Sequence, residues 1–231
     1  MPSFVKRNIS KLINFIPTSH QNMSFDFKLK RFVNGINYAP KFWNAVWMSP
    51  VDPFDRKKMF PDSKYTIDDV YSEVIETWDK DKKKNIYDRS LDFYSNFYLP
   101  GSILPKIDRA SMLNSIEVRS IFFDKDILEY ALKLPVKYKF NNGNRKYILK
   151  KLLKKYLPKN LVDNKKKGFG MPISSYFQKI NYKMLKINNL DYINQSFVKQ
   201  QHKLHKEKKI DNKIFLWSWL SFIKSKSFNY L

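Results

Sequence analysis

The sequence contains no cysteine and only five glycines in 231 residues. Without thiols, neither a disulfide framework nor a thiolate metal centre can form. The glycines stand at 35, 101, 143, 168 and 170 and never approach GxGxxG or a Walker A pattern. A glycine-rich turn that offers backbone N–H groups to a phosphate is therefore excluded from this chain. No run nears 18 apolar residues, so no transmembrane helix is expected. The first twenty residues lack the apolar stretch and small-residue cleavage site of a secretory leader. Together with the lack of cysteine, this makes a cytoplasmic location the expectation. Histidine is scarce too. His20, His202 and His205 include an i,i+3 pair without a supporting carboxylate pattern, which reads as surface histidines, with no metal site expected.

Positive charge is abundant. Lys and Arg number 44 against 21 Asp and Glu, a formal net charge of +23. Such an excess suits an anionic partner. The basic residues are 37 Lys and 7 Arg, however, and base or phosphate recognition favours the planar arginine fork. The wealth of Lys, Asn, Ile, Phe and Tyr also matches A/T-rich coding. Hydrophobic residues at 43% and aromatic residues at 16% indicate a folded chain rather than a disordered one.

Periodicity along the chain is mostly helical. Phe4, Ile9, Leu12, Ile13 and Ile16 predict a first helix ending before Pro17. Residues 25–36 predict a second, with Phe25, Leu29, Phe32, Val33 and Ile36 on its apolar side. "MSPVDPFDRKKMFPDSKY" reads as irregular, being rich in proline and aspartate. Further helices are predicted over 66–78 and 86–99, with Pro100-Gly101 as a break. Asp124 can cap a helix that Pro135 ends, Asn141-Asn142-Gly143 is a turn, and Asn144 can cap the helix after it. "NKKKGFGMP" is a loop, and "KIFLWSWLSFI" lies in a buried helix over about residues 210–223. The expected architecture is a compact, mainly α-helical body without a clear linker.

Two segments concentrate charge among apolar residues. In "LPKIDRASMLNSIEVRSIFFDKDI", residues 104–127, Ile103, Ile107, Ala110, Leu113 and Ile116 fall on one helical stripe. Lys106, Asp108, Arg109 and Ser111 point elsewhere. Spacing alone favours a solvated face with weak ion pairs; the functional alternative is a polar cleft held by paired charges. In "GNRKYILKKLLKKYLP", Lys146 projects on an ideal helix near Leu153 and Leu157, at the margin of the apolar face. A lysine there can snorkel to water or stabilise phosphate oxygens in a cleft, and the spacing does not choose.

Read in order, these segments resemble the synthetase domain of glutamine-dependent asparagine synthases. The central motif of that family, Lys-x-Asp-Arg-Ala-Ser-Met followed by Ser-x-Glu-Val-Arg and Phe-Leu-Asp, matches "LPKIDRASMLNSIEVRSIFFD", with Ile121-Phe122-Phe123-Asp124 in place of Pro-Phe-Leu-Asp. Leu134-Pro135, "GNRKYIL", Leu157-Pro158 and "KKGFGMP" follow in the family order, and "NMSFDFKLKRF" and "KIFLWSWLSF" extend the likeness over nearly the whole chain. The resemblance implies an ATP-dependent amide ligase that adenylates aspartate and lets ammonia, released from glutamine, displace AMP to give asparagine. It implies ATP and Mg2+ as cofactors. By motif, Lys146 matches the lysine that stabilises charge on the phosphates. Asp108, Arg109, Glu117 and Arg119 match the charged core of the central motif, in a supporting electrostatic role at the substrate and nucleotide cleft.

The family's Ser-Gly-Gly-x-Asp-Ser pyrophosphate loop and Gly-x-Gly-x-Asp-Glu segment do not occur here; the sequence has no Gly-Gly pair. Nor does the cysteine nucleophile of the glutaminase domain. The fold expected from the resemblance is the helical C-terminal portion of an adenine-nucleotide α-hydrolase-like (PP-loop) α/β synthetase domain, residues 1–231, with its parallel sheet largely absent. The expected partners are the N-terminal half of such an enzyme or a second copy, because loss of the sheet uncovers an apolar face. The chain alone is expected to be inactive. The alternative reading is a non-catalytic basic helical module that binds nucleic acid or another anion.

Overall fold

The computed structural model describes residues 13, 16–164, 170–187 and 190–228. The predicted first helix and the start of the "KKGFGMP" loop lie outside the described residues, apart from Ile13 and Ile16. The chain forms two compact units, residues 1–76 with 169–231 and residues 77–168. Both are mainly helical, and a two-residue ladder is the only sheet among the described residues. No described helix is long and apolar enough to cross a membrane.

The larger unit begins with α1 (Phe25–Ile36), within the bounds the periodicity predicts. Its buried positions are Asp26, Phe27, Val33 and Gly35, whereas Phe25 and Phe32 stand 76% and 52% exposed. The expected stripe is thus rotated toward Asp26 and Phe27, while Phe32 stacks on Trp47 of α2 (Trp43–Met48) with ring centroids 5.8 Å apart, and the same indole lies against Gly35, where a Cβ would overlap it. Trp47 Nε1–H donates to the Phe32 carbonyl at 3.4 Å. The stretch expected to be irregular contains α3 (Pro53–Met59). Asp52 caps it by accepting from the Phe54 N–H at 2.9 Å, and Pro53 occupies the first turn, where no donor is needed. The predicted 66–78 helix is divided at Tyr71 into α4 (Ile67–Val70) and α5 (Ser72–Asp79), with a Thr66–Asp69 capping box at its start.

The core of this unit is built by α12 (Ile173–Lys179), a 3-10 turn at Tyr182–Leu185, α13 (Gln195–Lys206) and α14 (Lys213–Phe228). Phe177, Leu185, Val198 and Leu216 have no measurable exposure, and Phe197, Phe215, Trp219 and Ile223 close around them. Asn194 fixes the entry to α13 by accepting from the N–H groups of Ser196 and Phe197. Its own N–H donates to the Met59 carbonyl at 2.8 Å and ties α13 to the end of α3. The last helix starts three residues later than predicted, since Asp211 and Asn212 are used in side-chain contacts.

The central unit runs from Ile86 to Met112 without a helical break: α6 (Ile86–Phe93), a π-helical stretch at Tyr94–Ile103 and α7 (Leu104–Met112). The break predicted at Pro100-Gly101 is absent because the widened turn accommodates the proline. In an α turn its ring would meet the carbonyl four residues back. Here Leu104 N–H reaches back five residues to the Leu99 carbonyl. A Schellman turn ends α7: Ile116 N–H donates to the Ser111 carbonyl at 3.1 Å and Ser115 N–H to that of Met112 at 3.0 Å, with Ser115 left-handed. Leu113 and Ile116 therefore fall off the predicted helix.

Beyond a 3-10 turn at Ile121–Phe123, Asp124 caps α8 (Lys125–Lys133) as predicted. The short α9 (Val136–Lys139) leads into β1 (Phe140–Asn141) and β2 (Asn144–Arg145). Asn142 and Gly143, at φ 45° and 78°, form the two-residue turn of this hairpin. Asn144 pairs with Asn141 in the ladder, so it does not cap the next helix, α10 (Tyr147–Leu153). A short α11 (Lys159–Asp163) follows. Among the described residues of this unit only Trp78 and Phe93 are buried hydrophobics.

Leu216→Ala is expected to destabilise the larger unit by about 2–5 kcal/mol, through lost burial and a residual cavity. Trp217→Ala, at a position 44% exposed, should cost far less. Urea unfolding of the two variants checks this, and equal midpoints would contradict the burial pattern.

Candidate functional site

The central unit holds all five residues singled out by motif. Asp108 and Arg109 lie on α7, and both line an open depression of about 550 Å3 together with Val118, Ser120 and Phe123. Glu117 and Arg119 lie on the extended strand of chain beyond the Schellman turn. Arg119 Nε–H donates to Glu117 Oε1 at 2.7 Å, with side chains 85% and 68% exposed. A pair so exposed contributes little stability. All four residues face solvent, as spacing alone suggests, and no buried ionic cleft forms among them in the described chain.

Lys146 sits elsewhere. It is not on the helix, as the ideal projection assumes, but at the N-cap position of α10, in the left-handed region at φ 56°. It directly follows β2, between the hairpin and the helix. A non-glycine residue there is strained by roughly 1–2 kcal/mol. Its side chain is at the edge of a second cavity, of about 860 Å3, walled by residues including Phe122, Leu128, Ile148 and Leu149. Phe122 lines this cavity and Phe123 the first, so the 3-10 turn stands between them. Among the described residues no hydrogen bond or ion pair joins Lys146 to Asp108, Arg109, Glu117 or Arg119. The structure thus brings together Asp108 with Arg109 and Glu117 with Arg119, and leaves Lys146 apart.

ATP and Mg2+, which the motif resemblance implies, do not fit the donor set of this unit. The cavity beside Lys146 is almost wholly apolar, and its charged lining is Lys139, Arg145 and Lys146. Three separate cations cannot replace converging backbone N–H groups around a triphosphate. No carboxylate cluster gathers beside them for a hard cation among the described residues.

The larger unit contains a polar cluster that the sequence reading missed. His202 and His205 are buried, 3% and 0% exposed, not surface residues as expected. His202 Nε2–H donates to the Phe177 carbonyl at 3.0 Å and His205 Nε2–H to that of Ser174 at 2.9 Å. Asn212 N–H donates to His205 Nδ1 at 3.1 Å, so this ring is neutral with its proton on Nε2. Asp211 accepts from Lys213 Nζ at 2.6 Å and from the Ser174 hydroxyl at 3.2 Å. With that proton directed to Asp211, Ser174 Oγ accepts from His20 Nδ1–H at 2.7 Å. His20 Nε2 is left buried without a hydrogen-bond partner.

The donor atoms of His20, His205 and Asp211 lie within 4.8 Å of one another, the spacing of a possible metal centre. Two of the three are already engaged: the Lys213 ammonium neutralises Asp211, and the Asn212 N–H occupies His205 Nδ1. The cluster reads as a polar network that joins the chain before α1 to α12, α13 and α14 and leaves His20 Nε2 unpaired. Its sequence signal is Asp211-Asn212-Lys213 shortly after two histidines on one helix face.

Several comparisons with known proteins bear on the central motif. The family model for asparagine synthase matches residues 28–226. The asparagine synthetase [glutamine-hydrolyzing] 1 of Bacillus subtilis (strain 168) is 33% identical over 137 residues, covering 57% of this chain and 22% of that protein. A putative asparagine synthetase [glutamine-hydrolyzing] of Mycobacterium tuberculosis (strain ATCC 25618 / H37Rv) is 33% identical over 81 residues, 35% of this chain and 12% of that protein. The chain thus spans less than a quarter of the length of these curated relatives. No solved structure matches it.

Burial holds His20, His202 and His205 below the ordinary histidine value of 6.5, and the cations Lys208 and Lys213 add to this at His20. Unfolding restores ordinary protonation, so below pH 6.5 the unfolded chain binds more protons than the folded one. Stability is expected to be full above that pH and to fall as the pH drops toward the folded-state values. Urea midpoints measured from pH 8 to pH 5 check this, and a midpoint that rises on acidification would contradict it.

Proposed function

The chain belongs to the asparagine synthase family, and from that premise we propose that it supplies the helical part of an ATP-dependent amide ligase site. Asparagine formation from aspartate, with ammonia derived from glutamine, is the reaction proposed. The observation that carries this reading is the family match across residues 28–226, which includes the whole central motif. Lys146 is assigned to charge stabilisation on the phosphates, a role in which a preorganised cation strengthens most in the transition state. Asp108, Arg109, Glu117 and Arg119 organise the cleft electrostatically and transfer no proton.

A PP-loop fold, with this chain as its C-terminal helical portion, is part of the same proposal. The nucleotide and its Mg2+ would be held mainly by a glycine-rich loop outside this sequence, since the chain has no Gly-Gly pair and the apolar cavity beside Lys146 offers no converging N–H groups; Lys146 would add one cation from the cavity's edge. The chain alone is accordingly inactive in this reading. The exposure of Asp108, Arg109, Glu117 and Arg119 supports it, because half a cleft leaves its charges in water until the other half arrives. The left-handed Lys146 supports it too: strain at one ammonium-bearing residue is a recurrent feature of sites that hold a group in a set direction.

A chimera tests the proposal. The matching segment of the Bacillus subtilis relative is replaced by this chain, and aspartate- and ammonia-dependent release of AMP and pyrophosphate is measured. Turnover is expected from the chimera and none from the chain alone. In the chimera, Lys146→Ala should lower kcat by about 10²–10³. Lys146→Gly should lower it equally while relieving the backbone strain, so its urea midpoint should lie above that of Lys146→Ala. A cooperatively folded chimera without turnover, or an active Lys146→Gly variant, would overturn the assignment.

A further inference from the structure

The sequence contains two Asn-Gly pairs, Asn34-Gly35 and Asn142-Gly143, and one Asn-Ser pair, Asn114-Ser115. At such pairs the small following residue lets the next backbone nitrogen reach the carboxamide carbon of the asparagine. The three differ in whether that nitrogen is free. Gly35 is buried inside α1, where its N–H belongs to the helical ladder and the Trp47 indole covers it. Ser115 N–H donates to the Met112 carbonyl at 3.0 Å, and Asn114 Nδ2–H donates to the Ala110 carbonyl at 3.0 Å. Gly143 has neither restraint. It is exposed, its N–H makes no hydrogen bond among the described residues, and beyond its chain neighbours no atom lies within 4 Å of the place a Cβ would take. Asn142 is exposed too. Its carbonyl accepts from Asn144 Nδ2–H at 3.4 Å, and no hydrogen bond holds its side-chain carboxamide among the described residues.

Two further features favour reaction at this pair. The hairpin that holds it has two residues in each strand, a ladder too short to be stable by itself, so the turn opens readily and Gly143 N can swing onto Asn142 Cγ. Residues 136–151 carry Lys137, Lys139, Arg145, Lys146, Lys150 and Lys151 and no Asp or Glu. Their positive field favours both the amide anion that attacks and the oxyanion that follows. We propose that Asn142-Gly143 is a modification site, at which the chain releases ammonia and turns Asn142 into an isoaspartyl or aspartyl residue. Gly143 N gives its proton to hydroxide and bonds to Asn142 Cγ. The Cγ–Nδ2 bond breaks, and Nδ2 takes a proton from water and leaves as ammonia. One water then opens the five-membered imide. Attack at Cγ gives aspartate, and attack at the main-chain carbonyl gives isoaspartate. One water is consumed, one ammonia is released and no electrons are transferred. Either product places a carboxylate in the turn before Arg145 and Lys146. The isoaspartyl form also runs the main chain through Cβ, which lengthens the turn and disrupts the pairing of Asn141 with Asn144. None of this depends on the ligase reading.

The test incubates the purified full chain between pH 7 and pH 9 and follows the tryptic peptide of residues 140–145 by mass spectrometry. Fragmentation separates Asn141, Asn142 and Asn144, and an isoaspartate-specific methyltransferase identifies the linkage. Asn142 is expected to convert first, chiefly to isoaspartate, at a rate proportional to hydroxide concentration, while Asn34 and Asn114 stay intact. Added salt should slow the reaction by screening the neighbouring cations. Gly143→Ala should slow it by about tenfold or more, because a Cβ hinders the approach of the nitrogen. That variant also strains the turn, at φ 78°, so Asn142→Gln serves beside it: the glycine is kept, a six-membered ring would be needed, and no ammonia should be released. In guanidinium chloride, which unfolds the chain and screens its charges, Asn34 should convert as fast as Asn142. Conversion of Asn34 or Asn114 ahead of Asn142 in the folded chain, or of all three alike, would overturn the proposal. So would a rate indifferent to Gly143→Ala. A preference for Asn142 over Asn34 that persists in guanidinium chloride would overturn its structural basis.

Discussion

Phe177, Leu185, Val198 and Leu216 are sealed from water in the larger unit, whereas no residue from 94 to 164 is buried. That imbalance governs the rest of the molecule. Each apolar Å2 removed from water contributes about 25 cal/mol. The larger unit collects this from α12, α13 and α14 wrapped around one cluster. The central unit collects little of it. Its elements are held mainly by local hydrogen bonds: the i→i−5 pairing through Pro100, the Schellman turn after α7, the Asp124 cap and the hairpin before Lys146. Such bonds define the path of the chain but supply only a modest net free energy apiece. A unit built this way has little apolar burial of its own to hold it together.

In the larger unit, polar groups follow the opposite logic. Asp211 is almost fully buried, its side chain 2% exposed, and a buried carboxylate is costly unless paired and hydrogen-bonded. Lys213 supplies the pairing and Ser174 the hydrogen bond. Ser174 also accepts from His20, and its carbonyl accepts from His205. The network around one carboxylate thereby aligns three stretches of chain that are distant in sequence, at His20, at Ser174 and at His205–Lys213. The packing of Phe177 depends on that alignment, since Phe177 follows Ser174 on α12 and its carbonyl accepts from His202.

Local rules made α1, the Asp124 cap and the Asn142-Gly143 turn legible from the sequence, because each depends on residues within a few positions. What was not legible depended on partners far along the chain or on uncommon helical geometry. Pro100-Gly101 reads as a break by every short-range rule, and only a π-type turn lets the helix pass. Gly35 makes room for Trp47, and Phe32 stacks on the same indole while staying half exposed, contacts that no close neighbour in sequence announces. The histidines read as surface groups, because nothing near them in sequence shows that Ser174 and Phe177 offer carbonyls. At the candidate site, the motif residues could be located, yet the placement of Lys146 could not. The ideal helix used to project it begins one residue later, and Lys146 is left-handed between the hairpin and that helix.

The two halves of this contrast bear on the same functional point. A complete polar site satisfies its charges internally, as the Asp211 network does with Lys213, Ser174 and Asn212. In the central unit the motif charges stay in solvent. Glu117 and Arg119 meet only at an exposed pair, and Lys146 stands over an apolar wall. Ordering a lysine in a strained backbone conformation beside a hydrophobic surface has no evident benefit to a unit with so little core. It makes physical sense when another surface arrives, shields the apolar wall and lowers the local dielectric around the ammonium. The same exclusion of water that stabilises the unit would then strengthen the cation's field on a bound anion. On the proposed ligase reading, covering the apolar face and activating the site would be one event.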